Sequence, residues 1–282
     1  MAREIEADQI EIVVGELCLK ANTILREDVL KSLEKCSQKE KNGSISEKML
    51  NILIENADIA KKKSMPLCQD TGMVAVFIEI GEDVKIIDGH VIDSINLGVK
   101  NAYEKHFFRK SIVEDPILRN NTGTNTPAVV HTDIVGGDKI KIHLMPKGFG
   151  SENKSRIAML DPTCKKDEII DFCVETVKKA GPDACPPYVL GIGLGGTMEH
   201  CAYLAKKALL RPINEDNPKI HIVEMEKAIK EKANKIELGV MGLGGVSTVL
   251  GVNMEEGPTH IAGCPIAVNV SCHALRSASA EI

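Results

Sequence analysis

The apolar pattern predicts a mixed α/β fold of the α+β type, with a helical N-terminal region followed by mixed β-sheets flanked by helices. Three observations carry this. From about Glu4 to Lys63, apolar residues recur at helical spacing with polar breaks, which predicts three helices. From Met73 the period changes to two, with Val74, Val76, Ile78 and Ile80 alternating as in a half-buried strand. Beyond that, short apolar runs and helical stretches follow one another with no polar linker of the kind that separates domains. Residues 1–282 are therefore expected to form one domain, with 1–63 as its helical start.

The elements follow in order. The third helix opens on a capping box of Ser44 and Glu47. Cys68 falls in the connection from this helix to the first long strand. Asp88 to Arg109 returns to helical spacing, with Arg109 at the helix end, where a cation complements the dipole. Pro127–Val135 and Lys139–Leu144 flank Gly136-Gly-Asp138, a hairpin signal. Lys166–Ala180 reads as a helix, Tyr188–Ile192 as a short strand, and Thr197–Leu210 as a helix stopped by Pro212. Strands over Val246–Val252 and Pro265–Val270 then deliver Cys272. Gly193-Leu-Gly-Gly196 recurs as Gly242-Leu-Gly-Gly245, which reads as repeated turn chemistry.

Composition narrows the function. The 282 residues are 43% hydrophobic, enough to bury a sizeable core, and at 3% aromatic content with no Trp that core must be aliphatic. A net charge of -5 argues against nucleic-acid binding, which needs a basic excess. No apolar run approaches the roughly 18 residues of a membrane span. The start Met1-Ala-Arg-Glu-Ile-Glu lacks a signal-peptide core, so a soluble, cytoplasmic protein is expected. Nine cysteines without a secretion signal then read as thiols or metal ligands.

Three of these cysteines lie in turn-rich loops: Cys68 in Pro-Leu-Cys-Gln-Asp-Thr-Gly, Cys185 in Gly-Pro-Asp-Ala-Cys-Pro-Pro, and Cys272 in Asn-Val-Ser-Cys-His-Ala-Leu-Arg. Three scattered thiolates can hold three corners of a 4Fe-4S cluster and leave the fourth iron open as a Lewis acid. Cys18, Cys173 and Cys201 sit among apolar neighbours in helical segments and read as core. Cys264, in Ala-Gly-Cys-Pro, is the main rival to Cys272, which local context favours because His273 and Arg276 follow it and can donate to sulfide or to an anionic substrate. Asp70 is either a carboxylate presented beside the Cys68 thiol or the acceptor of an ordinary Asx-turn. Gly148-Phe-Gly-Ser-Glu-Asn-Lys154 suits a carboxylate or phosphate, or else is a solvated helix start capped by Ser151. Gly191, Gly193 and Gly196 satisfy Gly-x-Gly-x-x-Gly, yet the helix that follows runs into a loop and not into a second strand ending in an acid. Close backbone approach to some other group is the better reading.

Taken together, the Cys68 motif, Gly148-Phe-Gly-Ser-Glu-Asn-Lys-Ser, Ala184-Cys-Pro-Pro-Tyr-Val-Leu-Gly-Ile-Gly-Leu-Gly-Gly-Thr and the late Ser-Cys-His-Ala-Leu-Arg resemble the alpha subunit of the iron-sulfur hydro-lyases, the family of class I fumarate hydratase and L(+)-tartrate dehydratase. The resemblance implies a 4Fe-4S cluster on Cys68, Cys185 and Cys272, with Asp70 as base. It implies Gln69, Arg109, Gly148 and Gly150 as contacts to a small dicarboxylate. Single-chain members carry a further C-terminal domain that completes the site, whereas this chain stops at Ile282, so a separate beta subunit and a dimerised heteromer are implied. The expected activity is reversible hydration of fumarate to (S)-malate, with L(+)-tartrate dehydration to oxaloacetate as the alternative. A non-catalytic iron-sulfur sensor and a nucleotide-binding module are the readings of other classes. Gln69, Asp70 and Arg109 beside the cluster argue for chemistry.

Overall fold

Helical periodicity in the first 63 residues becomes three helices in the computed structural model, which describes residues 2–282. They are α1 (Ala7–Thr23), α2 (Glu27–Lys39) and α3 (Ile45–Lys63). A short strand, β1 (Arg3–Glu6), precedes them and pairs in parallel with β3 (Val84–Ile87). The Ser44 hydroxyl caps α3, accepting from the Glu47 amide at 3.2 Å, while the Glu47 carboxylate reaches back to the Gly43 amide at 2.6 Å, one residue earlier than the motif predicts. The class is mixed α/β, and the chain forms two compact units.

The first unit comprises residues up to Leu25, Ile59–Phe149 and Arg276–Ile282. Its four-stranded sheet has the order β10-β5-β2-β4, with β2 (Met73–Gly81), β4 (Val129–Val135), β5 (Ile140–Lys147) and β10 (Ala278–Glu281). Strand β2 lies parallel to β4 and antiparallel to β5. This overturns the hairpin expected across Gly136-Gly-Asp138, because β2 sits between its two arms. The reason is burial: Val74 to Ile78 are all buried, so β2 needs a ladder on both edges, and the glycine loop crosses its end. There Gly81 and Glu82 donate to the carbonyls of Lys139 and Val135 at 2.9 and 2.8 Å. Helix α1 packs with α4 (Val91–Lys105) over the sheet, their aliphatic faces meeting Val74, Val76, Ile142 and Leu144. Helix α4 stops at Lys105, and Phe107 turns left-handed at φ 55°, so Arg109 lies in coil beyond the helix and does not end it.

The second unit comprises Arg26–Asp58 and Gly150–Leu275. Its sheet order is β6-β9-β7-β8, from β6 (Arg156–Leu160), β7 (Tyr188–Gly195), β8 (Val249–Gly257) and β9 (Cys264–Ser271). Strands β7 and β8 are parallel and the other pairs antiparallel. Helices α6 (Lys166–Ala180) and α8 (Ile220–Asn234) bury Cys173, Val177 and Ile229 against Leu190, Ile192 and Val268. The alternate β7 residues, Gly191 and Gly193, face α7 (Met198–Ala208). A Cβ on Gly191 would collide with the Ala205 carbonyl oxygen, and one on Gly193 with that of Cys201. These glycines of the Gly-x-Gly-x-x-Gly pattern therefore serve close helix-on-strand packing.

Cys18, Cys173 and Cys201 are all fully buried as expected, and burial pushes the Cys173 thiol up to about 12. Among the described residues no helix is long and apolar enough to cross a membrane.

Candidate functional site

In the first unit, the loop Pro66–Gly72 carries three expected site residues between α3 and β2. Its start is tied down by the Leu67 amide, which donates to the Asn22 carbonyl at 2.8 Å, and its end by Tyr103, whose hydroxyl donates to the Thr71 carbonyl at 2.6 Å. Cys68 is half-buried, its thiol 3.3 Å from the Gln69 side-chain oxygen, and Gln69 is exposed. Asp70 does make the Asx-turn: the Gly72 amide donates to Oδ1 at 3.0 Å. Its other oxygen accepts from the Phe149 amide at 2.9 Å, at the start of the short helix α5 (Phe149–Glu152). Both carboxylate oxygens are thus fixed by main-chain donors, and each keeps a further lone pair. Gly148 makes this possible, since a Cβ there would stand 3.1 Å from Asp70 Oδ2. Gly72, at φ 77°, faces the Lys147 backbone so closely that no side chain fits. Thr71 donates to the Arg109 carbonyl at 2.8 Å, which binds the Arg109 segment to this loop while its side chain stays exposed.

Arg276 completes this group. It is 3% exposed, and its Nη2 donates to the Asp70 carbonyl at 2.6 Å. Its Nε and Nη1 are buried without a partner. Sequence reading noted Arg276 as a donor but left it out of the substrate-contacting set. Its proximity to Asp70 joins residues 206 positions apart, which no local pattern reveals.

In the second unit, Cys185 and Cys272 are brought together. Cys185 turns left-handed at φ 56° ahead of β7, and its carbonyl accepts from both the amide and Nδ1 of His273, at 3.3 and 3.0 Å. The Tyr188 hydroxyl is pushed up by burial first and then by the neighbouring Cys185, Asp183 and Cys272. The strand leading to Cys272 is anchored as well: Asn269 donates to Glu152 at 3.0 Å and to the Ser155 hydroxyl at 3.2 Å, and Glu152 also pairs with Lys206. Gly150 belongs to this unit. Lys154, the cation of the expected anion loop, is already paired with Asp183 at 2.9 Å, and the Phe149 amide of that loop serves Asp70. Two of the loop's donors are thus already engaged.

Cys264, the rival ligand, faces Cys164 with the two sulfurs 3.6 Å apart, and burial followed by this neighbour pushes the Cys164 thiol up to about 11. None of the nine cysteines is in a disulfide. Among the described residues no three His, Cys, Asp or Glu side chains form a single-ion site. A cuboidal cluster asks for something else, thiolates each bound to a different iron, and the half-buried, loop-borne Cys68, Cys185 and Cys272 are of that chemical kind. Cys68 stands in the first unit and the other two in the second.

A loop-held carboxylate next to a buried arginine with donors to spare is an arrangement suited to an anion, and comparison with known proteins gives the family. The family described as fumarate hydratase (fumerase) matches residues 11–281. The chain belongs to that hydro-lyase family. It is 40% identical over 280 residues to a Methanocaldococcus jannaschii protein provisionally named L(+)-tartrate dehydratase subunit alpha, covering 97% of this chain and 98% of that one. It is 28% identical over 267 residues to the L(+)-tartrate dehydratase alpha subunits of Escherichia coli K12 and Shigella sonnei, covering 94% of this chain and 88% of each.

Proposed function

We propose that this chain is the alpha subunit of an iron-sulfur hydro-lyase that adds water reversibly to fumarate, giving (S)-malate. The family match across residues 11–281 carries the reading, and the double main-chain clamp on Asp70 supports it. Cys68, Cys185 and Cys272 would hold the 4Fe-4S cluster, which when bound supplies a Lewis-acidic iron for the hydroxyl oxygen. Asp70 is the base. In the dehydration direction it takes the proton from the carbon next to the one that loses hydroxide, so that one water leaves and the double bond forms. Its fixed oxygens keep one orientation during that transfer, which limits the reorganisation the step requires. Gln69 and Arg109, on the same loop and the segment bonded to it, would contact the dicarboxylate, as would the backbone at Gly148 and Gly150.

L(+)-tartrate dehydration to oxaloacetate is the second reading, favoured by the names of the relatives. The two substrates differ by one hydroxyl, a difference that few pocket groups decide. The same names imply a beta subunit, which we take as the partner in a cytoplasmic heteromer.

Anaerobic co-expression with the candidate beta subunit, cluster reconstitution and parallel fumarate and tartrate assays test this. Malate formation by a brown, air-labile preparation is expected. Tartrate turnover alone would select the second reading, and a colourless protein after reconstitution would remove the cluster from the proposal.

A further inference from the structure

Arg276 is the one arginine among the buried polar residues described, and its bonding is incomplete. Of its three nitrogens only Nη2 is used, on the Asp70 carbonyl at 2.6 Å, while Nε and Nη1 are buried with no partner. No carboxylate pairs with it among the described residues, and Asp70 turns both of its oxygens to backbone amides instead. A guanidinium withdrawn from water without an anion is strongly unfavourable, so its donors call for an acceptor that the protein chain does not itself provide. A glycine, Gly148, lies next to the pair. A Cβ on Gly148 would stand 3.1 Å from Asp70 Oδ2 and 3.9 Å from Arg276 Nη2, so any side chain there would crowd the carboxylate and approach the guanidinium.

We propose that Arg276 is the anion-receiving residue of the Asp70 loop: Nη2 holds the loop in register, and Nε and Nη1 donate to an anionic group bound beside Asp70. The shared chemistry is an anionic acceptor of N–H hydrogen bonds, either a carboxylate of the substrate or an inorganic sulfide of the cluster. A purely structural arginine would account for the bond to Asp70 and would leave two buried donors unexplained. This inference rests on the hydro-lyase reading for the identity of the anion.

The test uses the reconstituted complex with its beta subunit, comparing wild type with Arg276→Gln and Arg276→Lys. Two quantities are read: the Kd of succinate, a non-reacting dicarboxylate, and the iron content and visible spectrum of the cluster. A rise of about tenfold or more in the succinate Kd of Arg276→Gln, with an unchanged cluster, identifies the substrate carboxylate as the anion. Loss of iron or an altered spectrum, with succinate binding kept, identifies the sulfide. Wild-type values for both in a folded Arg276→Gln overturn the proposal. If that variant does not fold, Arg276→Lys decides, since it keeps the charge but offers one nitrogen in place of three: a shift in either quantity supports the proposal and wild-type values overturn it. A wild-type complex with neither cluster nor succinate binding would instead overturn the hydro-lyase reading on which this one rests.

Discussion

Cys264 and Cys272 lie at opposite ends of β9, and their surroundings differ. The Cys264 thiol lies 3.6 Å from Cys164, whereas Cys272 is followed by His273, which grips the Cys185 carbonyl through two donors. Replacement by serine should separate them. Cys272→Ser, like Cys68→Ser and Cys185→Ser, is expected to lose the visible absorbance of the reconstituted protein, while Cys264→Ser and Cys164→Ser keep it. Full cluster content in Cys272→Ser would return Cys264 to contention. Gly193 is equally specific. A methyl group there meets the main chain of α7 at Cys201, and backbone cannot step aside as a flexible side chain does. Gly193→Ala should cost about 3 kcal/mol, at the upper end of ordinary overpacking, read as a lower urea midpoint. Arg276 was visible in the sequence only as a donor near Cys272, because its importance comes from Asp70, a contact across 206 positions.

Among the elements, the start of α2 carries a half-buried ion pair that is bonded on both sides to the rest of the second unit. Arg26 donates from Nε to Asp28 at 3.0 Å and from its other nitrogens to the carbonyls of Leu209 and Arg211, while the Ile213 amide donates to Asp28 at 2.9 Å. Burial alone would raise the Asp28 carboxyl, but the Arg26 bond and charge and the amides of Ile213 and Val29 outweigh it and hold the group below its ordinary range. A lowered folded-state value means that the unfolded chain takes up the proton first as pH falls. The stabilisation is therefore present above the ordinary Asp value and is lost as pH drops through the lowered folded one. Asp28→Asn should cost about 2 kcal/mol near neutral pH, by leaving the half-buried Arg26 without its charge partner. In urea melts the gap from wild type should close as pH falls below the ordinary Asp range; a gap constant with pH would mean that the carboxylate charge is not what holds α2. Elements of this kind were readable where the pattern was local. The three N-terminal helices, α6 and β2 follow from periodicity and caps, each determined by its own residues. The β4–β5 pairing was misread because the glycine turn signals a reversal of direction, which does occur, but cannot say which strand fills the space between the arms. Helix α8 and strands β6 and β10 escaped notice, β6 and β10 being only five and four residues long.

At the scale of the whole molecule, the question is whether one chain holds enough positive charge for the proposed chemistry. A C4 dicarboxylate brings two negative charges, and abstraction of a proton next to a carboxylate adds more, so the site needs several cations or iron to offset them. Near Asp70 the first unit offers Arg276, buried and bonded to the loop, Lys147, buried next to Gly148, and Arg109, exposed and tied in only through its carbonyl. In the second unit Lys154 and Lys206 are already paired with Asp183 and Glu152. On the proposed reading the remaining charge would come from the open iron of the cluster and from a beta subunit. It follows that this chain alone, reconstituted without oxygen, should take up a cluster yet turn over fumarate and tartrate at no more than about 1% of the rate of the complex, because losing transition-state cations costs about 3 kcal/mol each. Titrating beta subunit into the cluster-loaded chain should raise the rate until the two are equimolar, and exposing the complex to air should abolish activity before circular dichroism shows any unfolding, since in the proposed three-cysteine site the fourth iron would have no cysteine ligand. Appreciable turnover by a preparation proven free of any partner would show that Arg109 and Arg276 suffice with the iron. Activity that outlasted prolonged aeration without added iron or reductant would count against a labile cluster, and the catalytic assignment would then have to rest on Asp70 and the arginines alone.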